Sequence, residues 1–375
     1  MKLGIPAETR PHETRVAATP ETVKKLTTSG AHSVLVQSGA GARASIPDEQ
    51  YVASGATIVA QAADIYRGAD LVLKVRAPDE GELGQMREGQ ILIGLLQPHN
   101  REGIEALARK GLTAFAMEAL PRISRAQSMD VLSSQANIGG YKAVLIAADT
   151  YARMMPMLMT AAGTVKAARV VVMGVGVAGL QAIATAKRLG AVVEATDVRP
   201  ETKEQVESLG AKFIDVPLTD AEKELAKGQG GYARDMGEDY RKRQAALVAE
   251  RIKQADIVIT TALIPGRPAP VLVTEDMVRS MKPGSVIVDM AVEQGGNCPL
   301  SELDKVVVKY GVHIVGIANL PALVAADASS LYARNLLNFL ALMLDPKTGE
   351  FKLALEDEVV AGTVVCTRGE VIKKP

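Results

Sequence analysis

The stretch from Arg169 to Gly190 constrains the fold of this chain more than any other. The apolar run VVVM leads directly into the pattern Gly-x-Gly-x-x-Gly, and a segment of helical periodicity follows and ends at Gly190. In such a unit the glycines make the tight turn, let backbone N–H groups approach a pyrophosphate, and let helix and strand pack closely. A second strand ends in Asp197, about 20 residues further on. This context predicts a dinucleotide-binding βαβ unit built on Gly174, Gly176 and Gly179.

The composition argues against several classes of protein. The 43 basic residues balance 43 acidic ones, so nothing favours binding to nucleic acid or to an anionic surface. Cys298 and Cys366 have no metal-binding spacing, so we expect two buried small side chains and no metal site. The N-terminus lacks the pattern of a secretory signal, and no run approaches the ~18 apolar residues of a membrane helix. We therefore expect no direct membrane insertion.

The alternation of strand and helix patterns predicts an α/β protein with two Rossmann-like domains, each a doubly wound parallel sheet, joined by long helices. We assign residues 1–133 and 326–375 to a discontinuous N-terminal domain and residues 134–325 to the dinucleotide-binding domain. Strands of the first domain are expected at Lys2–Ile5, His32–Gln37, Leu71–Val75, Ile91–Leu96 and Thr113–Met117. For the second domain, the sequence of strands favours the order 3-2-1-4-5-6.

Three further segments carry specific expectations. Leu132 to Met155 has a helical pattern with a small-residue face. The methionines 154, 155, 157 and 159 at and after its end are expected to fill the core, and the alternative is a partner-binding surface. The glycine-rich stretch from Lys227 to Gly237 predicts a mobile loop. It is either a plain connection or a lid in which Tyr232 and Met236 close over a nucleotide. Val359, Val360, Val364 and Val365 suggest strand structure in the C-terminal tail.

Asp197 bears on the choice of nucleotide. A carboxylate at this strand end accepts the two ribose hydroxyls of NAD and repels the 2′-phosphate of NADP. Arg199, two residues further on, is of a type that can accept a 2′-phosphate. Because the aspartate lies at the strand end itself, we favour NAD.

A polar loop, Leu120 to Asp130, precedes the long helix. Within twelve positions it and the helix start offer a guanidinium, an amide, a carboxylate and a hydroxyl, from Arg122, Gln127, Asp130 and Ser133. Such groups can satisfy the carboxamide of a nicotinamide and orient its ring. The alternative is a set of solvated loop residues, and the residues themselves do not decide between the two.

Histidine is scarce, with four in the chain and none in a catalytic frame. Oxidation of an alcohol or amino acid requires an acid–base group with a pKa near 7, usually His or Lys. Direct hydride passage between two nicotinamides needs only two carbon atoms held about 3 to 3.5 Å apart. The scarcity therefore favours hydride passage between nucleotides.

The chain resembles the NAD(H)-binding component, domain I or the alpha-1 subunit, of proton-translocating NAD(P) transhydrogenase. The likeness covers nearly the whole chain and is densest in PRISRAQSMDVLSSQ, MTAAGTV, ATDVR, GGYA, TTALIPGRPAPVL and GGNCPLS. It implies that NADH binds in the second domain and passes hydride to NADP⁺ on a separate domain III, in the Si/Re-specific type of reaction. It also implies a homodimer, coupling to proton movement through a membrane domain II, and a peripheral place on the cytoplasmic face of the inner membrane. Since the chain ends before any membrane helix, it is similar to forms in which the NAD subunit is separately encoded.

The resemblance also implies roles for individual residues. Arg122, Gln127, Asp130 and Ser133 match the loop that orients the nicotinamide. The remaining implied NAD-binding positions are Val177, Ala178, Asp197, Val198, Arg199, Gly231, Tyr232 and Leu263, beside the three glycines.

Alanine dehydrogenase is a relative of different function, and it is the alternative interpretation. Arg15 and Lys74 match its pyruvate-binding arginine and lysine. Its catalytic histidine should fall near Gln97 and its catalytic aspartate at Glu293, and neither is present. We therefore do not assign Arg15 and Lys74 a catalytic role and interpret them as inherited structure, for example as members of an ion pair. A third interpretation, an NAD-sensing module without catalysis, is consistent with the same substitutions.

Overall fold

The computed structural model describes residues 1–199, 201–216, 238–264, 266–345 and 347–372, with the backbone alone at 238–241. The chain forms two compact units, one of Met1–Gln135 with Pro321–Pro375 and the other of Ala136–Leu320. These are called the first and second unit below. The first unit is discontinuous because the chain returns to it after completing the second. The functional domain limits predicted at 133/134 and 325/326 stay a prediction.

Seventeen strands occur among the described residues. They are β1 Lys2–Ile5, β2 Ser33–Gln37, β3 Ala56–Val59, β4 Leu71–Arg76, β5 Ile91–Leu95, β6 Thr113–Ala116, β7 Leu158–Thr160, β8 Gly163–Val165, β9 Arg169–Met173, β10 Val192–Thr196, β11 Lys212–Phe213, β12 Ile257–Thr260, β13 Val286–Asp289, β14 Val306–Lys309, β15 Val312–Val315, β16 Val364–Thr367 and β17 Glu370–Val371.

The α-helices of the same residues lie between these strands. They are α1 Pro20–Thr27, α2 Asp48–Ala53, α3 Ala62–Gly68, α4 Glu80–Gln85, α5 Arg101–Arg109, α6 Val131–Thr150, α7 Val177–Arg188, α8 Thr202–Ser208, α9 Glu238–Gln254, α10 Glu275–Ser280, α11 Ala325–Leu340 and α12 Glu358–Thr363. Short 3₁₀ helices include Ser124–Met129 and Val292–Gln294.

Each unit is built on one large sheet. Within the described residues, the first unit has the strand order β17-β16-β6-β5-β4-β1-β2-β3, parallel except at β16 and β17. The second has the order β11-β10-β9-β12-β13-β15-β14, with β14 as an antiparallel edge strand. The parallel part of the second sheet has the predicted order 3-2-1-4-5-6. The predicted fold class, two Rossmann-like α/β units, is confirmed.

The buried runs of the sequence are explained by cores on both faces of each sheet. In β4, Leu71, Leu73 and Val75 belong to one core and Val72 to the other. In β9, Val170 and Val172 lie in one core while Val171 and Met173 lie in the opposite one. Because both faces are covered by helices, most buried positions on both faces are apolar and there is no regular alternation with polar residues; Lys74 in β4 is a buried exception.

The methionine cluster is where the expectation from sequence was wrong. Of the four residues, Met155 alone is buried, whereas Met157 and Met159 are 60% and 71% exposed and Met154 is also exposed. The helix α6 ends at Thr150, earlier than predicted, and the chain then forms the two-stranded hairpin β7–β8. No core lies behind that hairpin within the described residues, so its apolar side chains face outward.

Two smaller expectations also differ from the structure. Strand β3 was not expected, and it extends the first sheet by pairing in parallel with β2. Val359 and Val360 lie in α12, where Asp357 caps the helix by accepting the Val359 N–H, so only Val364 and Val365 are in a strand. A local cap therefore outweighs the β propensity of two valines.

No helix of the described residues has the length and apolar character needed to cross a bilayer. The same residues contain no group of His, Cys, Asp or Glu that could hold a metal ion.

Candidate nucleotide site

The glycine turn lies at the carboxyl end of β9, between β10 and β12. Here the strand order reverses direction, which is where open α/β sheets bind ligands. The backbone geometry separates the roles of the three glycines. Gly174 has φ +99°, and a Cβ on Gly179 would lie 1.9 Å from the Gly174 oxygen. A Cβ on Gly176 would meet nothing within 4 Å, so this glycine borders open space at the start of α7.

The first turn of α7 is held close to α6. A Cβ on Gly140 would lie 2.1 Å from the Ala178 oxygen, so only glycine allows this approach. The small-residue face of α6 thus packs against the residues that begin α7, and Val177 beside them is partly exposed. The open space beside Gly176, the N-cap of α7, lies at a helix N-terminus, which is a favourable place for a phosphate.

Asp197 immediately follows β10 and points back to the glycine turn. Its side chain is 6% exposed, and it accepts the Val175 N–H at 2.7 Å. It also accepts the Arg199 backbone N–H and two guanidinium N–H groups, at 2.9 to 3.0 Å. Burial alone would raise the pKa of Asp197, but the Arg199 side chain and the backbone N–H of Val175 hold that pKa below its ordinary value.

Exposed apolar side chains lie at the same sheet edge. Val198 follows Asp197, and Leu263 and Ile264 follow β12, the strand on the other side of β9. Single exposed apolar residues are common. Here, however, three of them lie beyond the ends of the two strands that flank the glycine turn. Such side chains could contact the flat faces of an adenine.

A buried hydrogen-bond network, which the sequence analysis did not predict, supports the carboxyl ends of β12 and β13. Asp289, at the end of β13, is fully buried and accepts the N–H groups of Asn297 and Cys298 together with the Ser301 hydroxyl. Asn297 in turn bonds both the N–H and the carbonyl of Ala262. The loop that carries Leu263 is therefore fixed from beneath. An aspartate after the apolar run VIV, with Gly-Gly-Asn a few residues later, is the signal that could have revealed it.

The polar loop of the first unit divides the predicted quartet into two pairs. Asp130 caps α6, because it accepts the Ser133 N–H at 2.9 Å and the Ser133 hydroxyl at 2.6 Å. Arg122 and Gln127 are exposed and make no side-chain hydrogen bond to any residue the structure describes. Two of the four groups therefore have a structural partner, and two are available to a ligand.

The same loop is held by the returning C-terminal segment. Asn335 and Asn338 on α11 both donate their side-chain N–H to the Ser128 carbonyl, at 2.8 and 3.0 Å. Arg125 makes a bidentate pair with Asp357, the cap of α12. Ala126 and Met129 are buried beneath. The position of the loop thus depends on residues about two hundred places away in the sequence.

Arg15 and Lys74 lie in a buried ionic network of the first unit. Arg15 forms a bidentate pair with Glu13 and donates to the Gln135 side chain. Lys74 lies 2.6 Å from Glu82, which also forms the capping box of α4, and 3.5 Å from Glu8. Burial raises the pKa of Glu8. Burial would also raise the pKa of Glu13, but Arg15, with help from Arg76, brings it down to about 2.

Gln97 lies at the end of β5 with a left-handed backbone, φ +55°. Its N–H is held at 2.6 Å by Glu118, whose carboxylate also accepts the Leu96 N–H. Its side chain is exposed. The position at which alanine dehydrogenase would have its histidine is thus a fixed, strained corner that carries an amide.

The remaining predicted site residues belong to the glycine-rich stretch. Gly231, Tyr232 and the proposed lid of residues 227–237 lie outside the described residues.

Comparisons with known proteins cover nearly the whole length of the chain. Residues 4–139 match the family model "Alanine dehydrogenase/PNT, N-terminal domain", and residues 143–374 match "Alanine dehydrogenase/PNT, C-terminal domain". The chain is 58% identical to the first part of an NAD(P) transhydrogenase subunit alpha of Rhodospirillum rubrum. The match covers 99% of this chain and 98% of that protein. It is 35% identical to alanine dehydrogenase of Mycobacterium tuberculosis, over 79% and 74%.

A solved structure gives the same result. A transhydrogenase from Sinorhizobium meliloti superposes with a TM-score of 0.89 at 53% identity, covering 99% of this chain and all of that one. The chain therefore belongs to the alanine dehydrogenase/PNT family, and its identity to a transhydrogenase alpha subunit exceeds its identity to the alanine dehydrogenase of Mycobacterium tuberculosis.

Proposed function

We propose that the chain is the NAD(H)-binding subunit of a proton-translocating NAD(P) transhydrogenase. It binds NADH at the glycine turn of the second unit and passes hydride directly to NADP⁺ on a partner domain. The observation that carries the proposal is Asp197, a buried carboxylate held beside the Gly174–Gly179 turn, in a chain 58% identical to a transhydrogenase alpha subunit.

The residues present fit a bound NAD(H). Gly176 borders open space at a helix N-terminus, where backbone N–H groups and the helix dipole favour a pyrophosphate. Asp197 is the acceptor for the ribose, and Val198 and Leu263 are apolar surfaces for the adenine. Gly231 and Tyr232 are proposed as further contacts on the strength of the family likeness alone.

In this proposal Arg122, Gln127, Asp130 and Ser133 orient the nicotinamide. The free Arg122 guanidinium donates to the carboxamide oxygen, and Gln127 is able to donate or accept. Asp130 is already fixed by Ser133, so it offers a rigid acceptor. When bound here, the nicotinamide would supply the hydride, and these residues would hold its ring for direct transfer to NADP⁺. No proton carrier on this chain is needed, because the hydride moves directly between two carbons.

We further propose that two copies of the chain associate and that the complex lies at the cytoplasmic face of the inner membrane. A domain III with NADP(H) and a membrane domain II complete it, as the family resemblance implies. The name of the Rhodospirillum rubrum relative, which is one portion of a subunit alpha, supports the presence of further components. The hairpin β7–β8 supports a dimer, since it exposes Met157, Leu158 and Met159. A two-stranded sheet with an exposed apolar face is marginally stable alone and gains from burial against a second copy.

The function is tested by hydride transfer. The purified chain is mixed with the NADP(H)-binding component of a transhydrogenase, and reduction of an NADP⁺ analogue by NADH is followed. Transfer that requires both components is expected. NADH binding without transfer would contradict the transhydrogenase proposal and favour a nucleotide-sensing module.

Alanine dehydrogenase chemistry is the control arm of the same experiment. The chain alone is incubated with NADH, pyruvate and ammonia. We expect no oxidation, because Arg15 and Lys74 already have buried carboxylate partners and Gln97 offers no acid–base group. Oxidation by the chain alone would establish the alternative function.

The dimer is tested by sedimentation of the full chain. Met159→Asp is expected to shift the wild-type dimer to monomer. Val52→Asp, which places the same charge on an exposed apolar residue of α2, is the matched control and should leave the dimer intact. A monomeric wild type, or equal effects of both variants, would contradict the hairpin interface.

A further inference from the structure

Every acceptor position of the Asp197 carboxylate is already occupied. A carboxylate offers about four lone-pair positions. The Val175 N–H and the Arg199 Nη2 are directed at Oδ2, and the Arg199 backbone N–H and Nε at Oδ1. The two hydroxyls of a ribose need two of these positions, so one pair of donors must leave before the sugar can bind.

The four donors differ in how easily they leave. The Val175 and Arg199 backbone N–H groups belong to the turn and to the chain just after β10, so the fold holds them. The Arg199 guanidinium is on a long side chain that is 38% exposed. Its second anchor is a hydrogen bond to the Val175 carbonyl at 3.3 Å, the longest of the set. The Arg199 guanidinium is therefore the group that leaves Asp197 when a ribose binds.

We propose that Arg199 is an internal competitor for the ribose site, and that its displacement from Asp197 is a required step in nucleotide binding. This inference rests on the proposed binding of NADH at Asp197, and it assigns Arg199 a competing role in place of the direct nucleotide contact that the family resemblance implies for that residue. The competitor mimics the ligand, since its two N–H groups fill the positions that two O–H groups would take. The affinity for the nucleotide is lowered by the free energy of the Arg199–Asp197 pair. Release of the nucleotide is aided because the Arg199 side chain returns to Asp197.

The same arrangement bears on nucleotide choice. While Asp197 is ionised, it repels a 2′-phosphate, and the two backbone N–H groups keep it ionised when the guanidinium leaves. Arg199 alone therefore does not convert the site to NADP. Its effect falls on the affinity for nucleotides that carry free ribose hydroxyls.

The test compares binding of ADP and of 2′-deoxy-ADP to wild type and to Arg199→Ala by calorimetry, with NADH fluorescence as a second probe. Arg199→Ala is expected to bind ADP and NADH about three- to tenfold more tightly, as fits the loss of one partly exposed ion pair. The gain for 2′-deoxy-ADP should be smaller, because that nucleotide vacates fewer positions. The difference between wild type and variant should narrow at high salt, which screens the pair.

Lys203→Ala is the matched control. Lys203 is a similarly exposed cation on α8, paired with Asp215, so its loss removes the same charge without freeing Asp197. It should not tighten binding. Weaker binding by Arg199→Ala, or an equal gain in both variants or for both nucleotides, would overturn the competitor role.

Nucleotide binding at Asp197 and the competitor role of Arg199 are contradicted by different results. If neither wild type nor Arg199→Ala binds NADH or ADP, the proposed site itself is wrong. If wild type binds both and Arg199→Ala binds them no more tightly, the site stands and only the competitor role is lost.

Discussion

The two units each contain a bidentate arginine–carboxylate pair in a short stretch of sequence, and the two pairs have opposite character. Arg15 and Glu13 are 3% and 0% exposed and are joined by Gln135 and Arg76. Arg199 and Asp197 have similar distances, but the arginine is 38% exposed and lies at the glycine turn. The same chemical pair is therefore a fixed part of a core in one unit and, in the role proposed for Arg199, a displaceable contact in the other. Burial of the arginine makes the difference, because it removes water as a competing partner.

Removal of the buried cation Arg15 is expected to have the largest effect on stability. Arg15→Met should lower the free energy of unfolding by about 3 to 5 kcal/mol, because the Glu13 carboxylate stays buried without its bidentate partner. Arg199→Met, the matched change at the partly exposed arginine, should cost less than about 1 kcal/mol, because Asp197 keeps its two backbone N–H donors. Urea unfolding of both variants measures the two losses. Equal losses would show that burial does not separate the pairs.

The pH dependence of stability probes the same buried pair. The pKa of Glu13 falls from the ordinary 4.5 to about 2 on folding, so its stabilisation is complete above the unfolded value and is lost as the pH falls toward 2. Between these values the wild type should lose up to about 1.4 kcal/mol per pH unit more than Glu13→Gln. Glu8, whose pKa is raised, has the opposite dependence and remains in both proteins. The free energy of unfolding of wild type and of Glu13→Gln is measured by urea unfolding at a series of pH values. The same dependence on pH in both proteins would contradict the low pKa of Glu13.

The loop from Arg122 to Ser133 combines both kinds of environment. The buried Asn335 side chain fixes it, while its Arg122 and Gln127 side chains are exposed. Asn335→Ala removes a buried side chain that bonds both the Ser128 carbonyl and the Ser134 hydroxyl, and should cost about 1 to 2 kcal/mol. Asn338→Ala removes only the exposed bond to Ser128 and should cost about 0.5 kcal/mol or less. We also expect the first variant to slow hydride transfer while the Kd for NADH is kept. Loss of affinity in step with rate would argue against a positioning role.

The smallest effect on stability is expected at the cap of α6. Asp130→Asn should change the free energy of unfolding by less than about 0.5 kcal/mol, because asparagine caps helices equally well. It should nevertheless slow hydride transfer more than it weakens NADH binding, and so should Gln127→Asn. Asp130→Ala is the contrast, with about 1 kcal/mol lost with the cap. Equal losses of rate and affinity would reduce these residues to simple binding contacts.

Much of the fold was accessible from the sequence because its signals are local. The continuous apolar strands, the glycine turn and Asp197 at the next strand end depend on residues within one βαβ unit, and this unit was predicted correctly. Strand β3 and helix α12 were missed because their short segments gain stability from neighbours in the sheet and from a single cap. The exposed hairpin of Met157 and Met159 was missed because an apolar residue in sequence does not state what lies opposite it.

The sequence by itself determined the fold class, the candidate nucleotide turn and the acidic residue beside it, since glycine geometry and strand periodicity are properties of neighbouring residues. Only the tertiary structure decided which charged and polar groups are free. Arg15, Lys74 and Asp130 have partners, Arg122 and Gln127 are exposed with none among the described residues, and Arg199 closes over Asp197. Pairing and burial arise between residues that can be far apart in the chain, as Ser128 and Asn335 are, and the pattern of the sequence alone does not carry that information.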